Sequence, residues 1–466
     1  MRKWMLGIWT VYSLTGCTVG TDYQKTDVFS DLKIAQNLHL TGENHQVLRD
    51  WYKSFDDNRL NTLVTQALNQ NADILSALEK LRQARTISKI SKVQYLPTFD
   101  VKGGYDYMKA SKNIISADTD NFLIGFDADW EIDIWGKGRR TNEQKRAEFQ
   151  SARYSLQNIK NAIAAEVAST YFTLKTLEEQ KRIAQKNLTL QGDILETIRQ
   201  KYQSGLLAES SYHQASYLYE KTKALIPSFD EQIAIQKNAV AVLIGDLPNV
   251  DENEFSDKTN PINKAYHYDT TKLFSLPINI IRTRPDVRAA EESLKAQNAA
   301  IGAAVADLYP NVSLSTLFGF EAKNASDLFV KASQTYAYQP SVLAPIFHWG
   351  QLQNAVELAR EKKAEVYQNY RKTILESTAE LANAIVAVQK EYQANRSKRN
   401  ALSHARRAFD AMRRKYLSGL IEYSTLLESE QDLLTAELDL AVSNGTIYQN
   451  LIAFYKATGG GYNSAD

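Results

Sequence analysis

Side chains able to do covalent or metal chemistry are few and scattered in this sequence. The six histidines, His39, His45, His213, His267, His348 and His404, include no pair four residues apart, and the single cysteine, Cys17, has no second thiol to join it. A zinc site needs several such ligands converging on one point, so none is indicated. There is no G-x-S-x-G elbow and no P-loop, and Gly136-Lys137-Gly138 lacks the third glycine of a dinucleotide fingerprint. Asp127, Asp129, Glu131 and Asp133 are the densest carboxylates, but a spacing of two lays them along one strand face, more naturally toward water than around a metal. Lys plus Arg total 55 against 54 Asp plus Glu, and a net charge of +1 gives no field for a nucleic-acid partner. No enzyme class, metal or cofactor follows from this inventory.

The thiol has its own context. Arg2 and Lys3 precede an apolar stretch, Trp4 to Leu14, which has the length of an export signal's core and is too short to cross a bilayer. Leu14-Thr15-Gly16-Cys17 then resembles the lipobox of bacterial lipoproteins. Residues 1–16 are therefore expected to be a signal peptide and Cys17 to carry a covalent lipid, with an ordinary signal and an incidental cysteine as the other reading. Residue 18 is Thr rather than Asp, which implies sorting to the outer membrane. Each buried acyl methylene contributes roughly 0.8 kcal/mol, so a multiply acylated Cys17 would anchor stably. No other apolar run approaches the roughly 18 residues a spanning helix needs. If the chain enters a membrane, it does so as strands.

The elements that must position anything else come in two copies. Leu96-Pro97 pairs with Tyr309-Pro310, Trp135-Gly136 with Trp349-Gly350, and Lys201-Tyr202-Gln203-Ser204-Gly205-Leu206 with Lys415-Tyr416-Leu417-Ser418-Gly419-Leu420. The shift is about 214 residues, far longer than a solenoid repeat. It divides the sequence into a lipidated, extended N-terminal segment (17–56), a first repeat (57–245), a linker (246–269), a second repeat (270–459) and a tail (460–466). Within the repeats, period-two alternation predicts strands near 98–108, 121–134, 311–321 and 335–347. Residues 351–418 contain neither Gly nor Pro, and 141–204 only Gly192, so two very long helices are expected there. Their apolar residues step by threes and fours, as in Leu402, Ala405, Phe409, Met412 and Tyr416, the seam of a coiled coil. Gly205 and Gly419 are placed to end them, with Ser210 and Ser424 as candidate N-caps of returning helices over 206–243 and 420–457. Four strands cannot close a membrane barrel, and open edges in lipid are forbidden, so several chains must share one; three would supply twelve strands.

Four segments carry a resemblance to a known family: Trp51-Tyr52-Lys53-Ser54-Phe55-Asp56-Asp57, Trp130-Glu131-Ile132-Asp133-Ile134-Trp135-Gly136 with Arg139-Arg140, Arg284-Pro285-Asp286-Val287, and Pro345-Ile346-Phe347 before Trp349-Gly350. Together they resemble the TolC-like outer-membrane efflux proteins, in their lipidated branch. The resemblance implies an α+β membrane protein, a homotrimer with one shared twelve-stranded barrel continuous with a long periplasmic coiled-coil barrel. It implies a passive exit duct for a tripartite efflux system, with a periplasmic adaptor, an inner-membrane pump and outer-membrane lipid as partners. By the same resemblance Tyr416, Lys415 and Glu428 map to the periplasmic gate, and Gly205, Leu206, Gly419 and Leu420 to the tips that receive the adaptor. A trimeric exported stalk or adhesin with a small barrel is the rival reading.

Overall fold

The computed structural model describes residues 18–25, 50–109, 119–248, 262, 266–269, 276 and 279–460. The signal peptide, Cys17, most of the linker and residues 461–466 of the tail lie outside the described residues. In chain order the elements are α1 (Asn58–Gln70), α2 (Ala72–Val93), β1 (Thr98–Met108), β2 (Thr119–Ile132), α3 (Lys137–Gln203), α4 (Glu209–Leu243), α5 (Ile280–Thr283), α6 (Pro285–Ala306), β3 (Asn311–Ala322), β4 (Gln334–Leu343), α7 (Gln351–Leu417) and α8 (Tyr423–Ala457). Both long helices have 67 residues and both returning helices 35. At 1.5 Å per residue each long helix extends for about 100 Å, well beyond any globular core. No described helix is both long and apolar enough to cross a membrane.

The chain divides into two compact units. The first, built on residues 80–153 and 289–371, holds one antiparallel sheet in the order β1-β2-β3-β4. The register lines Val101 up with Phe126, Phe126 with Phe318 and Phe318 with Tyr336, an apolar band across all four strands. These side chains are 68%, 68%, 51% and 69% exposed, so none of the described residues covers that band. The other face is polar. Lys102 pairs with Asp127, Ser315 donates to Asp129, and Asn121 donates to Glu321 at 2.9 Å. β1 and β4 are open edges, and β4 carries Pro340, tolerable where one side of the ladder is free.

Two strands are shorter than the alternation predicts: β2 ends at Ile132 rather than 134, and β4 at Leu343 rather than 347. Their common partner β3 begins at Asn311, which pairs with Leu343, so the ladder has no residue left to offer. Asp133 is consequently not a strand residue. Its carboxylate accepts from the backbone N–H groups of Gly138 (2.9 Å) and Arg139 (3.0 Å), satisfying orphan donors in the first turn of α3.

An N-terminal strap, residues 18–25, is seated in the same unit. Thr18 lies against Gly136, Val19 donates its N–H to the Trp135 carbonyl at 3.0 Å, and the buried Arg140 donates to the carbonyls of Val19 (3.2 Å) and Gly20 (3.1 Å) and to Asp22 (2.8 Å). Asn298 donates to the Thr21 carbonyl at 2.9 Å. Gly20, with φ +87°, passes so close to Gly302 that a Cβ would lie 2.7 Å from its Cα. Only glycine fits both the conformation and the approach.

The second unit, residues 27–79, 154–288 and 372–466, packs the helical hairpins. Trp51–Phe55 is a short 3-10 helix, not the extended chain expected up to residue 56. Its aromatic residues bury themselves: Trp51 stacks on Tyr455 at 5.4 Å, and Phe55 meets Phe172, Tyr266 and Tyr448 within 5.7 Å. Asp57 caps α1 through the N–H groups of Arg59 and Leu60, both at 3.0 Å, and accepts from Tyr171 at 2.9 Å. Arg284, 6% exposed, grips Asp286 through two nitrogens and also reaches Glu380 (2.8 Å) and the Ala457 carbonyl (2.7 Å). The Arg-Pro-Asp motif thereby ties the start of α6 to the end of α8.

The returning helices begin at Glu209 and Tyr423, later than the expected 206 and 420. Their N-caps are Ala208 and Glu422, neither making a side-chain cap. Ser210 and Ser424 lie one residue inside each helix and do not cap it. The extra residues are spent on reversal: a left-handed glycine followed by extended backbone at 208 and 422.

Candidate functional site at the second hairpin tip

Both tips are built by one backbone device. After α3, the N–H of Leu206 bonds the Lys201 carbonyl (2.8 Å) and that of Gly205 the Tyr202 carbonyl (2.9 Å). After α7, Leu420 bonds Lys415 (2.9 Å) and Gly419 bonds Tyr416 (3.0 Å). These paired bonds are the Schellman closure of a helix, and they need the positive φ of Gly205 (71°) and Gly419 (70°). The closure throws the next side chain outward. Leu206 and Leu420 are each 74% exposed, and a Cβ on either glycine would meet nothing within 4 Å. Each tip thus offers an open glycine beside a bare leucine.

Beneath the second tip the residues diverge from the first. Tyr416 is buried, 6% exposed, with its ring 5.8 Å from that of Tyr423 and the Lys201 ammonium 5.0 Å over its face. Burial pushes its phenol above the usual range, and its hydroxyl has no hydrogen-bond partner among the described residues. Ile194, Ile198, Phe409, Leu426 and Leu433 complete the cluster. Lys415 is exposed at its side chain while its carbonyl is used by the tip closure. Glu428 is also exposed on α8. No hydrogen bond joins Tyr416 to Glu428: the phenol turns into its own hairpin and the carboxylate away from it.

The residues that sequence reasoning missed are Tyr423 and Glu430. Tyr416, Tyr423, Glu430 and Glu437 are spaced by seven, and the last three hold one buried stripe of α8. That spacing is a coiled-coil signal, overlooked because Glu430 stands among exposed carboxylates and reads as one more of them. Tyr423 donates to Glu430 at 3.4 Å, and its own phenol is held well above the usual range, first by burial and then by that carboxylate. Among the described residues no group of His, Cys, Asp and Glu is placed to hold a metal ion.

A sheet with one exposed apolar band and one polar face, joined in one chain to hairpins of 67- and 35-residue helices, defines a channel-forming membrane protein. The outer membrane efflux protein family matches residues 63–246 and 276–460, once for each repeat, and the chain belongs to that family. It is 25% identical over 455 residues to the cation efflux system protein CusC of Escherichia coli, covering 96% of this chain and 97% of that protein. To the pyoverdine export outer membrane protein OpmQ of Pseudomonas putida it is 28% identical over 438 residues, covering 91% and 90%. Among solved structures, the outer-membrane channel OprN superposes with a TM-score of 0.84 at 26% identity, covering 96% of this chain and 100% of that one. The CmeC channel of Campylobacter jejuni gives 0.85 at 25%, covering 97% and 96%. The chain is therefore the outer-membrane exit channel of an efflux system, set in the outer membrane and extending into the periplasm.

Proposed function

We propose that three copies of this chain close one twelve-stranded barrel in the outer membrane, continued below by a coiled-coil barrel through which substrates pass passively. The observation that carries this reading is the sheet: four strands, two open edges, an apolar face with an exposed band across all four strands, and a polar face. Backbone groups at an open edge cannot be left in lipid, so β1 and β4 must find partners on other copies. A polar inner face suits a water-filled lumen, whereas a solid stalk would have no use for one. Energy would come from an inner-membrane pump reached through a periplasmic adaptor, with the exposed leucines at 206 and 420 and the open glycines at 205 and 419 as the adaptor's landing points. No catalytic role and no cofactor is assigned to the chain.

A lipid on Cys17 fits the same scheme. Thr18, the residue that follows it, rests on Gly136, four residues past the end of β2. Acyl chains on Cys17 would therefore enter the bilayer beside the base of the barrel wall. Tyr416, Lys415 and Glu428 would form the periplasmic gate, with Tyr416 supporting the tip from within and three Glu428 carboxylates charging the entrance. Relatives named for cation efflux, pyoverdine export and toluene efflux share the family, so cargo is better assigned to the pump than to the duct. Light scattering on the detergent-solubilised protein tests the shared barrel. The expected mass is that of a trimer, and a monodisperse, folded monomer would refute it.

A further inference from the structure

α8 buries two carboxylates one heptad apart, and their surroundings differ. Glu437 has Arg406 at 2.8 Å and Lys186 at 3.7 Å and accepts from Asn187 at 2.8 Å. Among the described residues Glu430, 3% exposed, has only the Tyr423 phenol at 3.4 Å on one oxygen, and its buried Oε1 has no partner. From α7 Arg413, an exposed residue, acts on it through its charge alone, and Tyr416, whose ring meets that of Tyr423, has a buried hydroxyl likewise unpartnered. From α3 the Lys201 ammonium lies 5.0 Å over the Tyr416 ring. From α4 come Tyr212, at the cluster's edge, and the exposed His213, 3.5 Å from Glu209. None of these forms an ion pair with Glu430. An ionised carboxylate with an empty oxygen in such a site pays its desolvation uncompensated, whereas a neutral carboxyl does not.

The duplication supplies an internal comparison. Counting from the tip glycines, the first hairpin has Glu209 where the second has Tyr423, and Ser216 where the second has Glu430. The second tip alone carries this buried acid. We infer that Glu430 is a proton-binding site built into the second hairpin tip: the packed tip takes up a proton there, and a loosened, hydrated tip releases it. The inference rests on reading this tip as the entrance gate. Burial pushes Glu430 up to about 7, against the opposing pull of Tyr423 and Arg413. A carboxyl that binds its proton more tightly when packed stabilises the packed tip fully below the ordinary carboxyl range, and that contribution is lost as pH rises through about 7. Acid therefore holds the tip shut and alkali loosens it, by a factor on the order of a hundred per chain across that window.

Two measurements on the full-length protein decide the matter. In planar bilayers at pH 5 to 9 the wild type should open more often as pH rises, with a midpoint near 7, and Glu430→Gln, a neutral isostere, should stay in the low-opening regime throughout. A Gln variant that follows the wild-type pH profile overturns the proposal. Infrared spectroscopy reads the site without needing a pore: a protonated-carboxyl band present in wild type at pH 6, lost on raising the pH, and missing from Glu430→Gln supports the site. Identical spectra from the two proteins at pH 6 overturn it. If neither protein conducts at any pH, the duct reading fails while the infrared comparison still decides the proton site.

Discussion

At the scale of single residues, the side chains that carry the family resemblance divide into those that hold the fold and those that face outward. Arg284 belongs to the first kind. It is buried and bonded to Asp286, Glu380 and a backbone carbonyl, so removing it frees the end of α8. Arg284→Ala should cost about 2 kcal/mol, as for losing hydrogen bonds between charged groups, and should lower the thermal unfolding midpoint while leaving conductance per folded channel unchanged. Tyr416 and Glu428 are expected to act separately, since one is buried in its own hairpin and the other exposed. Tyr416→Ala removes a ring from the Tyr423 contact and should raise the resting conductance. Glu428→Ala should lower cation over anion selectivity without opening the tip, because ringed carboxylates select cations by charge. Equal resting conductance in wild type and Tyr416→Ala would remove the phenol from the gate.

At the scale of elements, the long helices and the strands were legible because each rests on a local rule. The Gly- and Pro-free run after Gly350 gives α7, and period-two alternation from Phe122 gives β2. What could not be read were endings set by a partner. β2 and β4 stop where β3 begins, a fact of pairing rather than of their own residues. The serines at 210 and 424 fit a capping rule, yet the reversal after Gly205 and Gly419 consumes the positions they would need. Glu430 is harder to read: its seven-residue spacing from Tyr423 marks the buried stripe, but a carboxylate beside the exposed Glu428 reads as solvated until the helices are packed. The tips themselves yield a clean element-level prediction. Leu206→Glu and Leu420→Glu alter side chains 74% exposed and touch no packing, so unfolding midpoints should hold while affinity for the adaptor falls at least tenfold. Unchanged adaptor binding by the double variant, measured by surface plasmon resonance, would move the landing points elsewhere.

At the scale of the whole molecule, the account turns on a surface that one chain cannot cover. A sheet with an apolar face, a polar face and two unpaired edges is unstable alone in either water or lipid, and joining copies edge to edge satisfies all of these at once. In the proposed trimer the polar faces of Lys102, Asp127 and Asp129 would turn inward around a common axis and line a wet conduit. A filled stalk would leave the same charges dry. The ion conductance of the purified protein in a planar bilayer tests this most directly. A shared, water-filled barrel gives discrete steps whose size scales with the conductivity of the electrolyte; a folded, inserted trimer that passes no current at any voltage or pH would contradict it.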